Sequence, residues 1–128
     1  MNRILSISLV ILPLYMLTGA AHSNELDGVE IKQKIAGKKV FLATRWGIEF
    51  PLKYARNGKV TGDGSGTGLG QYFAPKETGS WWVKGNQVCQ RFPTWYDGRT
   101  FCFRLEETGA NTFIWKRNDG RSGKARIG

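Results

Sequence analysis

Hydrophobic and polar positions divide the chain into three regimes. From Ile4 to Leu17 the residues are mostly apolar, with Pro13 breaking the run. Between Leu26 and Gly37 the apolar positions Ile31 and Ile35 stand four apart with Val29 nearby, which is helical spacing. From Lys38 onward, apolar and polar residues alternate in short runs separated by Gly, Asn and Asp, which is the period of strands.

The helical stretch carries its own punctuation. Asp27 is placed to cap, Glu30 stands three residues on as in a capping box, and Gly37 is placed for the stop. Two to three turns are marginal alone, so the helix is expected to plug or flank the sheet with Val29, Ile31 and Ile35.

The strand region reads as a meander. KKVFLATRW comes first, EFPLKYA follows Gly47, and Asn57-Gly58 marks a tight hairpin before KVTG. Pro51 lacks a backbone donor and predicts an edge or a bulge for its strand. GDGSGTGLG places glycine at every second position from Gly62 to Gly70; it lacks G-x-G-x-x-G spacing and a following helix, so it predicts a loop or a bare-faced strand. QYFAP and a turn from Lys76 to Gly79 come next. After them stand SWWVK, a Gly85-Asn86 turn, QVCQRF, the wider loop PTWYDGR, TFCFRLEE, a turn from Thr108 to Asn111, TFIWKR, a turn from Asn118 to Gly120, and GKARI. About eight short strands joined by tight turns favour closure, because closure removes exposed edges. The expected fold is all-β and mainly antiparallel: a small lipocalin-like or calycin-like barrel, or a strongly curved meander, with one short N-terminal helix.

Composition adds compartment and charge. The basic tip at Arg3, the apolar run and the small residues Ala20, Ala21 and Ser23 have the anatomy of a secretory signal peptide over residues 1–23, cut after Ser23 or Ala21. The apolar part is shorter than the roughly 20 residues of a spanning helix. The expected mature protein is a single domain over 24–128, periplasmic or secreted, with no transmembrane segment. The whole chain has a net charge of +9, and loss of Arg3 leaves 18 basic against 10 acidic residues, about +8. His22 is the sole histidine and leaves with the leader or lies at its edge. No Ser/His/Asp or Cys/His set can then be assembled, and a transition metal would lack its commonest ligand. The chain is therefore read as non-enzymatic, with no metal and no cofactor. Asp63, Asp97, Asp119 and the Glu106-Glu107 pair are the remaining carboxylates of interest, and the two adjacent glutamates point to opposite faces of a strand.

Two cysteines in an exported chain predict one structural disulfide, Cys89 to Cys102, across a hairpin. Direct opposition of the two also pairs Arg91 with Thr100 and Val88 with Phe103. Val88, Phe101, Phe103 and Leu105 then face the core, while Cys89, Cys102, Arg91 and Arg104 share the other face.

The order of features from Leu26 resembles a family of small exported proteobacterial proteins known only as a domain of unknown function, number nine-nine-five. The matching features are the short helix ending Ile35-Ala36-Gly37-Lys38, the Gly-rich middle, and Thr78-Gly79-Ser80-Trp81 leading through Val83, Gly85 and Asn86 to Cys89. Cys102 and the Asn118-Asp119-Gly120 turn complete the match. The resemblance covers nearly the whole mature chain and implies no catalytic residues. A looser likeness to lipocalins extends to architecture alone, because their Gly-x-Trp belongs near the first strand. Here that strand ends Arg45-Trp46-Gly47, and Gly79-Ser80-Trp81 comes mid-chain.

Function is expected in the hairpin tip, where Trp95 and Tyr96 sit between Arg91 and Arg99. Exposed aromatics flanked by arginines suit stacking on sugars and pairing with carboxylate or phosphate. The expected role is a binding or envelope-associated protein for an anionic or glycan ligand: an acidic envelope glycan, lipopolysaccharide or lipid headgroups. The alternative is that Trp95 folds back over the barrel mouth and that the arginines are a solvated face. A second class of function is an inhibitor of a secreted protease or lysozyme, with the mature N-terminal segment or the loop from Pro93 to Gly98 as the probe. Nucleic acid is disfavoured by the leader. The sequence leaves open whether the barrel interior is filled or hollow.

Overall fold

The computed structural model describes residues 7–15, 24–44, 47–65 and 75–128. Eight antiparallel strands pair in chain order and close on themselves: β1 (Lys38–Ala43), β2 (Glu49–Tyr54), β3 (Lys59–Gly62), β4 (Glu77–Lys84), β5 (Gln87–Arg91), β6 (Thr100–Gly109), β7 (Thr112–Arg117) and β8 (Ser122–Ile127). The seam between β8 and β1 sets Val40 against Ile127 and Leu42 against Ala125. The architecture is a small all-β, lipocalin-like barrel with one helix, α1 (Gly28–Ile35).

The cysteines form the disulfide Cys89–Cys102, and the register sets Val88 against Phe103 and Arg91 against Thr100, as alternation predicts. Cys89 and Cys102 face outward, and Val88, Phe101 and Leu105 are buried within.

One end of the barrel is closed by α1. The Asp27 carboxylate accepts from the Glu30 N–H at 2.8 Å and Glu30 accepts from the Asp27 N–H at 3.2 Å, so the capping box forms in full. Ile31 and Ile35 are buried, but Val29 is 68% exposed, against the expectation that it packs on the sheet. At 100° per residue Val29 lies on the far side of the helix from Ile31. Its place is taken by Leu26, ahead of the cap, which is buried in the same cluster as Ile31 in the manner of a hydrophobic staple. The helix sits so close to the β4–β5 turn that a Cβ on Gly28 would lie 2.2 Å from the Gly85 carbonyl oxygen. The Gly28 N–H donates to Asn86 Oδ1 at 3.1 Å, and Lys34 pairs with Glu107 at 3.1 Å.

Two further expectations are corrected. Lys76 to Gly79 is not a turn: β4 begins at Glu77, and Gly79 pairs with Val60 inside the strand. Glycine is needed there for close approach, since a Cβ would meet the Arg91 carbonyl oxygen at 2.2 Å. Pro51 lies in β2, which pairs on both sides; it opposes Phe41 of β1, but the ladder to β3 stops at Leu52. The missing N–H thus falls where the ladder to β3 has ended. The glycines from Gly66 to Gly70, together with Gln71, Tyr72, Phe73 and Ala74, lie outside the described residues.

The interior is filled. Trp81 points inward, donates its indole N–H to the Ala55 carbonyl at 2.8 Å and meets Tyr54 edge-on at 5.5 Å. The buried Tyr54 hydroxyl donates to Gln90 Oε1 at 2.6 Å, and burial pushes its phenol pKa well up. Trp115 meets Phe103 edge-on, its ring lying against Gly123. What remains is a cavity of about 40 Å³ lined by residues such as Val40, Leu52, Val88, Leu105 and Phe113. Trp82 points outward, and Trp46 lies outside the described residues.

Candidate functional site at the barrel mouth

Antiparallel order brings the last residues of β1, β3, β5 and β7 and the first residues of β2, β4, β6 and β8 to the end opposite α1. All four residues singled out in the hairpin tip lie there, in or beside the β5–β6 loop. The loop is one 3-10 turn, Trp95–Gly98, in which Tyr96, Asp97 and Gly98 take left-handed backbone with φ of 54°, 57° and 67°.

Trp95 folds back over the mouth. It lies 4.6 Å from the Phe92 ring and 5.8 Å from Phe50, and a Cβ on Gly62 would meet its indole at 2.5 Å. Trp95 is therefore the lid of the core. Tyr96 points the other way and is 56% exposed, resting edge-on against Phe101 at 5.2 Å.

The two arginines hold the loop. Arg91 Nε donates to the Gly98 carbonyl at 2.7 Å, and Arg99 Nε donates to the Tyr96 carbonyl at 3.2 Å. From β4, the Glu77 carboxylate accepts from the Thr94 N–H and hydroxyl, both at 2.8 Å, and from the Trp95 N–H at 3.1 Å. Desolvation pulls the Glu77 carboxyl pKa up, but these hydrogen bonds outweigh it and leave it below its ordinary value.

A residue missed in the sequence completes the site. Arg117 lies opposite the core residue Phe103 at the end of β7, and its side chain is only 10% exposed. Its guanidinium lies 4.2 Å from the centre of the Phe101 ring and 5.7 Å from Tyr96, while Arg99 lies 5.5 Å from Phe101. Phe101 thus carries one cation from β7 and one from the β5–β6 loop, with the exposed Tyr96 ring against its edge. Asp119 fixes Arg117 through two contacts, Nε to Oδ1 at 2.8 Å and Nη2 to Oδ2 at 2.5 Å. Alternation along Phe113, Trp115 and Arg117 was the available signal, since all three share one face. Glu77 had none, because its contact with Thr94 spans 17 residues.

Among the described residues neither Arg91 nor Arg99 takes part in an ion pair, and no group of three His, Cys, Asp or Glu could hold a metal ion. Glu106 and Glu107 face opposite sides, one beside Lys116 and the other beside Lys34. No helix among the described residues is long and apolar enough to cross a membrane. No family model, curated protein or solved structure matches this chain.

Proposed function

We propose that this protein is an exported, non-catalytic binding protein that takes an anionic or glycan ligand at the mouth of its barrel. One observation carries the reading: Tyr96 is held out to solvent on left-handed backbone, beside two guanidinium groups gathered on Phe101. Left-handed backbone is unfavourable for a bulky L-residue and persists where surrounding contacts over-determine it. Here Arg91, Arg99 and Glu77 supply those contacts, so the aromatic platform is set before any ligand arrives. Sugars stack on such a ring, and guanidinium forks take carboxylates or phosphates in pairs of hydrogen bonds. The filled interior has no room for such a ligand, since small-molecule pockets run to hundreds of Å³.

Export is supported by the leader-like pattern of residues 1–23 and by the disulfide, which belongs in an oxidising compartment. Both support a periplasmic or secreted location. Kinship with the family of unknown function named above rests on the order of features and adds no residue role.

The test is the variant Tyr96→Gly, which removes the ring and suits the backbone. It should fold with unchanged or slightly raised stability and bind an acidic oligosaccharide about tenfold more weakly, as the loss of one stacking partner implies. Unchanged binding would overturn the reading. Inhibition of a secreted protease or lysozyme is favoured by the same pre-set loop. Assay against a panel of these enzymes separates the two: inhibition abolished by Tyr96→Gly would replace the glycan reading.

A further inference from the structure

The double tryptophan of β4 is split by the pleat. Trp81 enters the core, whereas Trp82 stands on the outer wall, 39% exposed, where core packing does not account for it. Directly opposite on β5 is Cys89, which is fully buried although it faces outward. An outward side chain with no exposure must be roofed by its neighbours. Those directly across from it are Cys102, to which it is bonded, and Trp82, the bulkiest side chain among its neighbours on this face. Trp82 therefore stands on the outer wall beside the disulfide, with part of its indole open to solvent.

Basic side chains surround this platform. Lys84 is two residues along β4, Arg91 is two residues along β5 from Cys89, Arg104 is two along β6 from Cys102, and Lys59 opposes Ser80 on β3. All four are exposed. Arg104 reaches Glu25 at 3.6 Å, whereas Lys59, Lys84 and Arg91 are in no ion pair among the described residues. Arg91 is the hinge of the arrangement. Its Nε holds the mouth loop, and its strand position is two residues, about 7 Å, from that of Cys89, the cross-strand partner of Trp82.

We infer that Trp82 with Lys59, Lys84 and Arg91 is a second subsite, and that the ligand is a linear acidic polysaccharide running from the mouth down the outer wall of β4 and β5. The inference rests on the anionic or glycan reading of the mouth and extends it from a terminal sugar to a chain. A partly exposed indole ringed by basic side chains suits a sugar that carries acid groups. A bilayer would instead reward several projecting apolar side chains, whereas Trp82 is the one exposed large apolar side chain of this wall among the described residues. Spaced aromatic and cationic groups reward a ligand that can engage both at once, because the second contact is intramolecular.

Oligomers of galacturonate test this, with the monomer, a short and a long oligomer titrated against the protein at fixed salt, and phosphatidylglycerol vesicles as a further arm. The long oligomer should bind at least about tenfold more tightly than the short one. Trp82→Ala and Lys84→Glu should each erase most of that gain and leave the short oligomer unaffected. Trp82→Tyr should restore part of it. Lys84→Glu also serves where Trp82→Ala fails to fold, since Lys84 lies at the exposed end of its strand. Equal affinity for short and long oligomers would overturn the second subsite while leaving the mouth reading intact. No binding of any length would overturn both. Vesicle binding that depends on Trp82, without a length effect, would overturn the polysaccharide in favour of a lipid surface.

Discussion

Tyr96 and Asp97, with φ of 54° and 57°, carry a conformational cost of about 1–2 kcal/mol each that their neighbours must offset. The same turn is flanked by the Arg117–Asp119 pair, whose chemistry can be read by titration. The hydrogen bonds from Arg117 hold the Asp119 carboxyl at about 2, below its ordinary 3.8. A depressed folded-state pKa means that stability from this pair is present above the ordinary value and is lost as pH falls toward about 2. Carboxyl NMR should therefore show Asp119 ionised well below pH 3.8, and Arg117→Leu should return its midpoint toward that value. A wild-type midpoint at the ordinary value would refute the pairing in solution. What was legible at this scale was residue type: the tip residues Arg91, Trp95, Tyr96 and Arg99 do gather at one place. Which of the two aromatics faces solvent was not legible, because it depends on three consecutive left-handed residues. Gly98 alone announces such backbone in the sequence.

At the scale of elements, α1 acts as a stopper whose fit depends on one missing side chain. With the Gly85 carbonyl 2.2 Å from where a Cβ would stand, Gly28→Ala must push the helix off the β4–β5 turn. The expected cost is about 2 kcal/mol, in the range of overpacking, read as a lower urea midpoint with an unchanged slope. An unaltered midpoint would mean that the helix shifts freely. Element boundaries and partners were largely readable. The period of two fixed the Cys89–Cys102 register because a one-residue slip would turn Phe101, Phe103 and Leu105 to solvent. The failures have local causes. Val29 was assigned by proximity rather than by angle around the helix, and Gly79 was taken as a turn residue when its role is to let the Arg91 backbone approach.

For the whole molecule, the decisive quantity is the empty space inside. About 40 Å³ holds a water molecule or so and no acyl chain. The protein should therefore show no saturable uptake of a fatty acid or of an apolar fluorescent probe in its native state. Stoichiometric uptake would mean that the barrel expands on binding. The sequence left this open because the same aromatic residues can fill a core or line a hollow one. The answer rests on how Trp81, Tyr54 and Trp115 stack, which only the closed register determines.

The seam between β1 and β8 sets an order of events during synthesis. Lys38–Ala43 and Ser122–Ile127 stand at opposite ends of the strand series, so a chain delivered from its N-terminus cannot complete the cylinder until its final strand is free. The disulfide hairpin, by contrast, can form while the last two strands are still to come. A chain threaded through a pore would thus stay open along one side for most of its passage and lock only on release.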